Sequence, residues 1–343
     1  MEPQHASFLH PEPQGPGPRI MPVFLPYAGC PGRCLYCAQE EQTGTKPRPL
    51  EQAHQELSQT LEGLGKDRTM ELAYYGATFT ALSPDWQERF LNLGQRFRDK
   101  GLISRVRCST RPDALDPARL KRLKGLGLDM VELGVQSFDD QALAESGRGY
   151  NGQLARSACA MVQDAGMALG VQLMPGMPGL TPEAFLADAE QTRDLRPETA
   201  RLYPCLVIQG SPLADQWRAG QYRPMDLATA ADLLARALLV LWPAGVRVIR
   251  MGLAPEQELL GKVLAGPWHP ALGLLARSRA LLALVRERVR GLGGKAAALE
   301  VPKRLQGEFW GHKAELKPDY AALGLTPESV RFEAREDLLL TIA

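Results

Sequence analysis

Met21-Pro22-Val23-Phe24-Leu25-Pro26 runs, after three further residues, into Cys30-Pro31-Gly32-Arg33-Cys34-Leu35-Tyr36-Cys37: an apolar strand pattern, then three cysteines spaced by three and two residues. Thiolates favour soft metals, and three on one tight loop can each take a different iron of a cubane cluster. The fourth iron then has no protein ligand, which a cluster needs if it is to bind a cosubstrate, just as catalytic zinc sites keep one position open. Pro31 and Gly32 permit a sharp turn, and Gly29 permits close approach of the backbone. A structural zinc site would want a fourth Cys or His nearby. None follows within the next dozen residues, and His54 falls inside a helical pattern.

Outward from that loop, short β-rich runs alternate with longer segments whose apolar residues recur at helical spacing. The predicted strands are 21–26, 71–75, 105–109, 130–135, 168–174 and 202–208, and the predicted helices are 50–64, 84–100, 116–126, 141–165 and 182–195. Ser83, Asp116 and Thr181 each precede a proline, a capping oxygen before a residue suited to the first helical position, while Gly101, Gly127 and Gly166 close helices. Six strands alternating with helices mean a parallel sheet, either a full or partial β/α barrel or an open doubly wound sheet. Element order does not separate these.

Pro3, Pro11, Pro13, Pro16 and Pro18 make residues 1–19 a flexible or extended lead-in, ahead of a core at 20–268. Residues 269–343 read as an appendage: a helix at 272–290, then strands at 296–301 and within 330–342 around a loop with His312, Lys313 and Lys317. Residues 246–251 resemble one more strand of the core.

The chain has 343 residues, 45% hydrophobic and 23% charged, with a formal net charge of +1, so overall charge implies no polyanionic partner. The most apolar stretch, 230–242, carries Asp232 and Arg236 and falls short of the roughly 18 uninterrupted residues of a membrane span. With no apolar leader at the amino terminus, a cytoplasmic location and no membrane partner are expected. Six cysteines, three of them crowded together, suit metal in a reducing compartment better than a disulfide scaffold.

The cysteine spacing, the aromatic Tyr36 before the last cysteine, and the place at the end of a first strand resemble the radical S-adenosylmethionine (SAM) superfamily. The resemblance implies an α/β fold, a partial (β/α)6 TIM-like barrel of parallel strands with a small C-terminal α+β appendage. It also implies a 4Fe–4S cluster on Cys30, Cys34 and Cys37 whose open iron chelates the amino and carboxylate groups of SAM. Reduction by one electron, from a donor such as flavodoxin or ferredoxin, cleaves SAM to methionine and a 5′-deoxyadenosyl radical.

Ala73-Tyr74-Tyr75-Gly76-Ala77-Thr78-Phe79-Thr80 is similar to the family's glycine-containing segment, by which the backbone at Gly76, Ala77 and Thr78 would hold the SAM amino group. Ala77 stands where a second glycine is commoner. Cys108-Ser109-Thr110-Arg111-Pro112-Asp113, Glu132-Leu133-Gly134-Val135-Gln136-Ser137 and Gly147-Arg148-Gly149-Tyr150 occur in the order seen in the branch with the Elongator catalytic subunit and oxygen-independent coproporphyrinogen oxidase. By that likeness Ser109, Glu132 or Gln136 would face the ribose, and Arg148 would meet the SAM carboxylate. Tyr36, and Gln172 as a polar residue in an apolar strand, join the implied cofactor-binding set. Without the resemblance, Glu132 reads as a buried partner of a lysine or arginine and Arg148 as a solvated charge. Cys108, Cys159 and Cys205 read mainly as packing.

The Elongator catalytic subunit couples its radical domain to an acetyltransferase and modifies a wobble uridine of transfer RNA. Here roughly 75 residues follow His269, about half a usual domain, without a pyrophosphate-binding glycine loop, so acetyl transfer is not expected on this polypeptide. The expected activity is radical chemistry on RNA, with tRNA first. Lys303, Arg304, His312, Lys313 and Lys317, interleaved with Phe309 and Trp310, would meet phosphates and stack a base. A small molecule of tetrapyrrole type is the alternative substrate, favoured by a neutral rim around an apolar cavity. A cluster-bearing scaffold or electron-transfer protein is the non-enzymatic alternative.

Overall fold

The structure is a computed structural model that describes residues 4–15, 17, 19–65, 69–257 and 259–343. Its strands are β1 (Gln4–Leu9), β2 (Ile20–Phe24), β3 (Met70–Tyr75), β4 (Ile103–Thr110), β5 (Met130–Gln136), β6 (Ala168–Leu173) and β7 (Thr199–Leu202). They continue with β8 (Val207–Ile208), β9 (Arg247–Met251), β10 (Val263–Ala265), β11 (Ala296–Pro302), β12 (Val330–Glu333) and β13 (Asp337–Ile342).

Strands β2, β3, β4, β5, β6, β7 and β9 form one sheet in that order, with every neighbouring pair parallel. A doubly wound sheet reverses its strand order partway; this one never does, so it curls as a barrel. Among the described residues no ladder joins β2 to β9, and the barrel stays partial. The architecture is α/β and TIM-like as expected, with β9 added as a seventh strand.

The crossover helices start where the sequence places caps. Asp116 accepts from Arg119 N and Thr181 from Ala184 N, each before a proline, whereas Ser83 makes no side-chain cap bond. The apolar helix Leu227–Leu241 buries Ala231, Leu234, Leu238 and Leu241 in the barrel core and packs against helices Pro182–Leu195 and Leu272–Leu292. Its hydrophobicity is thus used in packing.

Two local expectations are corrected. The single helix predicted over 141–165 is two, Asp140–Glu145 and Gly152–Asp164, because Gly147 and Gly149 take left-handed backbone angles between them. The strand predicted over 202–208 is also two. Leu202 ends β7, Pro204 cannot donate to a ladder, and Val207–Ile208 pairs antiparallel with β10 instead. Of the flexible or extended lead-in, Gln4–Leu9 takes the extended form, a strand paired in full register with β13.

That pairing builds a second sheet in the order β1-β13-β11-β12. Helix Leu272–Leu292 serves both layers: Leu272, Leu275, Ala276 and Ala280 join the barrel core, and Leu281, Leu282, Val285 and Val289 join the core under the second sheet.

Candidate active site

The carboxyl ends of the barrel strands surround a cavity of about 540 Å³, the end at which such barrels place their chemistry. Cys30, Cys34 and Cys37 all line it, on the loop that leaves β2. That loop is tied to the segment after β3: Tyr27 N donates to Gly76 O at 2.9 Å, and Thr78 N donates to Ala28 O at 2.9 Å. Gly29 takes φ +73°, and a Cβ there would stand 2.6 Å from Thr78 O. Only glycine fits this approach.

The three thiols have different surroundings. Cys30 Sγ lies 3.2 Å from Thr78 Oγ1. Cys34 Sγ accepts from Arg148 Nη1 at 3.1 Å and from Arg111 Nη1 at 3.7 Å. Burial, then the neighbouring Cys34, pushes the Cys37 thiol up to about 11. Among the described residues no three His, Cys, Asp or Glu side chains are set to hold a single metal ion. Thiols spread along one cavity wall suit a polynuclear cluster that takes one sulfur per iron.

Arg148 tests whether the site fits such a group. It is 4% exposed, and among the described residues no carboxylate stands within ion-pair distance of it. Its N–H groups go to Cys34 Sγ, Tyr150 Oη and Gly134 O. A buried guanidinium without a carboxylate calls for another anion, and cluster-bound thiolate is one. Arg111, by contrast, is paired with Asp113 at 2.7 Å. Tyr36 is buried beside this group, its hydroxyl without a hydrogen-bond partner and its pKa raised well above the ordinary value by burial.

The other expected residues divide. Gly76, Ala77, Thr78, Ser109, Gln136, Arg148, Gln172 and Tyr36 all line the cavity. Gly76 has φ +76°, and Ala77 is not among the residues with positive φ, so alanine is unstrained there. Gln136 sits at φ +67° where the β5–β6 register shifts, and its Oε1 accepts from Gln172 Nε2 at 3.4 Å.

Glu132 is the exception. It does not line the cavity: its carboxylate lies deeper, bonded to Arg107 Nε at 2.8 Å and Arg201 Nε at 2.6 Å. Burial would raise its pKa, but Arg201 and Arg107 prevail and hold it below the usual carboxylate range. The expectation that Glu132 faces a ribose is therefore corrected to a structural ion pair. The buried Cys108, Cys159 and Cys205 also lie off the cavity wall.

Sequence reasoning missed the arginines that β7 and β9 bring to the cavity wall. Arg201 donates to Tyr75 Oη at 2.7 Å and Tyr203 Oη at 3.1 Å, and Arg250 extends the same wall from β9. The alternation Thr199-Ala200-Arg201-Leu202, with Ala200 and Leu202 in the core, is the signal that would have placed Arg201 inward. In the C-terminal unit, Lys303, Arg304, Lys313 and Lys317 are exposed, but Phe309 is wholly buried, stacked on Tyr320 at 4.2 Å. Phe309 therefore offers no stacking face for a base.

Comparisons with known proteins agree with this geometry. Residues 24–192 match the Radical SAM superfamily, and residues 197–282 match the Radical_SAM C-terminal domain. A tRNA uridine(34) acetyltransferase of Methanocaldococcus infernus is 27% identical over 278 residues, 68% of this chain and 52% of the relative. Elongator complex protein 3 of Saccharomyces cerevisiae is 28% identical over 265 residues, 64% of this chain and 46% of the relative. The chain thus spans about half the length of the curated relatives it matches. The solved structure of the archaeal Methanocaldococcus infernus Elp3 with an N-terminal deletion superposes with a TM-score of 0.56 at 22% identity, covering 80% of this chain and 63% of that one. A parallel barrel with three thiols at its carboxyl edge, matched by two adjoining family domains, places the chain in the radical SAM superfamily of enzymes, among relatives of the Elongator type.

Proposed function

We propose that Cys30, Cys34 and Cys37 hold a 4Fe–4S cluster that binds SAM in the barrel mouth, and that the radical so made modifies RNA, with tRNA as the substrate. The observation that carries the cluster is Arg148, a buried cation facing Cys34 Sγ at 3.1 Å with no carboxylate of its own among the described residues. When bound, the cluster and SAM supply methionine and a 5′-deoxyadenosyl radical after uptake of one electron from a donor such as flavodoxin or ferredoxin.

The chain's own residues orient and enclose. The loop backbone at Gly76, Ala77 and Thr78 runs beside Cys30 and is available to the SAM amino group. Ser109, Gln136 and Gln172 offer a hydroxyl and two carboxamides on the cavity wall, suited to ribose hydroxyls.

The cavity wall is charged and lacks the neutral rim that would favour a small molecule of tetrapyrrole type. Arg111, Arg148, Arg201 and Arg250 line the cavity, whereas Glu256 is the one carboxylate among its described lining residues. Arg111, Arg148 and Arg201 are engaged with Asp113, Cys34 and Glu132, which leaves Arg250, exposed and without a carboxylate partner among the described residues, to meet a phosphate. The tRNA named for the relatives agrees with that chemistry.

The test is anaerobic reconstitution followed by assays for iron, labile sulfide and 5′-deoxyadenosine, with tRNA binding measured across salt. Near four irons per chain, 5′-deoxyadenosine from SAM and salt-dependent affinity are expected. Stoichiometric zinc without sulfide would end the cluster reading, and tRNA affinity absent at every salt concentration would end the substrate reading.

A further inference from the structure

We propose that Tyr203, held in place by Arg201, selects the base: its hydroxyl donates to an exocyclic carbonyl oxygen on the base edge and disfavours a base that carries an amino group there. The inference rests on the reading that the substrate is RNA, and it names the residue that tells one base from another.

Tyr203 is supported by the barrel lumen, away from the cysteine loop. Glu132 takes Arg201 at 2.6 Å and Arg107 at 2.8 Å, Arg107 goes on to Glu71 at 2.7 Å, and Glu71 faces Arg105 at 3.8 Å. These side chains come from β3, β4, β5 and β7, so the ladder ties four strands together. Swinging Arg201 toward a ligand would strip Glu132 of one of its two cations in a buried site, which is costly. The backbone is fixed as well, because Tyr203 N donates to Leu173 O at 2.9 Å and the buried Pro204 follows.

Arg201 Nη1 donates to Tyr203 Oη at 3.1 Å. A guanidinium only donates, so the phenol oxygen is the acceptor in this contact and its own proton must go elsewhere. Among the described residues that proton has no acceptor, and Tyr203 lines the cavity. A cation behind the oxygen strengthens the O–H as a donor and weakens the remaining lone pair as an acceptor. A carbonyl oxygen completes the set, whereas an amino group brings a second donor to a donor.

The same wall offers flat surfaces. Arg201 Nη2 holds Tyr75 Oη at 2.7 Å, and the Tyr75 ring lies 5.1 Å from the guanidinium carbon and 6.1 Å from the Phe24 ring. All four side chains line the cavity. Sequence-specific RNA recognition splays out single bases, stacks them on aromatic rings or guanidinium planes and reads their edges by hydrogen bonds. Phe24, Tyr75 and Arg201 supply the planes, and Tyr203 supplies the edge contact.

The experiment measures how well poly(U) and poly(C) compete with labelled tRNA for the reconstituted holoprotein at one salt concentration. Backbone charge is the same in both, and the exocyclic group is oxygen in uracil and an amino group in cytosine. Poly(U) should compete about tenfold better against the wild type, the scale of one hydrogen bond to a base edge, and Tyr203→Phe should bring the two within about twofold. A wild-type protein that binds tRNA but is displaced equally by both polymers, or by neither, overturns the inference and leaves the RNA reading intact. So does Tyr203→Phe with the wild-type preference unchanged, whatever its SAM affinity. Should Tyr203→Phe fail to take up iron, the wild type decides with poly(4-thiouridylic acid), whose sulfur is a weak acceptor. Weaker competition than poly(U) is expected there, and equal competition overturns the inference. A wild-type protein without tRNA affinity at any salt concentration removes the RNA reading and this inference together.

Discussion

Glu132 and Arg201 meet inside the half-barrel through a 2.6 Å contact from Arg201 Nε to Glu132 Oε2, while the other carboxylate oxygen takes Arg107 Nε at 2.8 Å. Arg107 reaches on to Glu71 at 2.7 Å, and Arg201 to the hydroxyls of Tyr75 and Tyr203. Below the cavity the lumen is filled by paired charge, which fixes Arg201, Tyr75 and Tyr203 on the cavity wall.

Removing that carboxylate leaves two buried guanidiniums without their shared partner. Glu132→Ala should cost about 3–5 kcal/mol of stability, as breaking a buried pair does. Urea denaturation followed by circular dichroism reads this out. A change within roughly 0.5 kcal/mol would return Glu132 to the role of a cofactor ligand.

Gly29 sets the path of the cysteine loop. With φ +73° and Thr78 O at 2.6 Å from its missing Cβ, Gly29→Ala should strain the loop by roughly 1–3 kcal/mol and lower the iron taken up on reconstitution. Gly32→Ala is the control, since its φ is not positive and a Cβ there meets open space. Equal iron content in the two variants would contradict the role given to Gly29.

The remaining cysteines lie away from the cavity in the core. Cys108→Ala, Cys159→Ala and Cys205→Ala should each keep wild-type iron and sulfide content, whereas serine at Cys30, Cys34 or Cys37 should abolish it. Loss of cluster in any of the first three would place a ligand where none is now assigned.

Asp188 is buried, accepts from Ser137 Oγ at 2.6 Å and Phe138 N at 2.8 Å, and burial raises its pKa from 3.8 to about 7. A carboxyl with a raised folded-state pKa contributes stability that is full below the unfolded value and is lost as pH rises through about 7. Asp188→Asn should therefore flatten part of the decline in stability between those values. Glu308, also raised to about 7 by burial, preserves the rest. Urea midpoints across pH check this, and an unchanged slope would refute it.

Arg250 lines the cavity from an exposed position and has no carboxylate partner among the described residues. If it meets a phosphate, Arg250→Gln should weaken tRNA binding and reduce the slope of log affinity against log salt by about one. An unchanged slope would assign the phosphate contacts elsewhere.

The sequence alone determined what depends on local chemistry. Three cysteines on one turn after an apolar run, strands alternating with capped helices, and Gln172 as a polar interruption of a buried strand are decided within a few residues, so they can be read directly. Tertiary structure decided what depends on side-chain direction and distant pairing. Arg148 turns inward because two glycines break a helix whose apolar spacing runs straight through them, and Glu132 faces two arginines brought in by neighbouring strands. Gln4–Leu9 becomes a strand because β13, from the far end of the chain, supplies its ladder. A one-residue change of strand phase reverses which face a side chain meets, and a ladder partner far along the chain leaves no local trace, so these features become fixed only when the chain closes on itself.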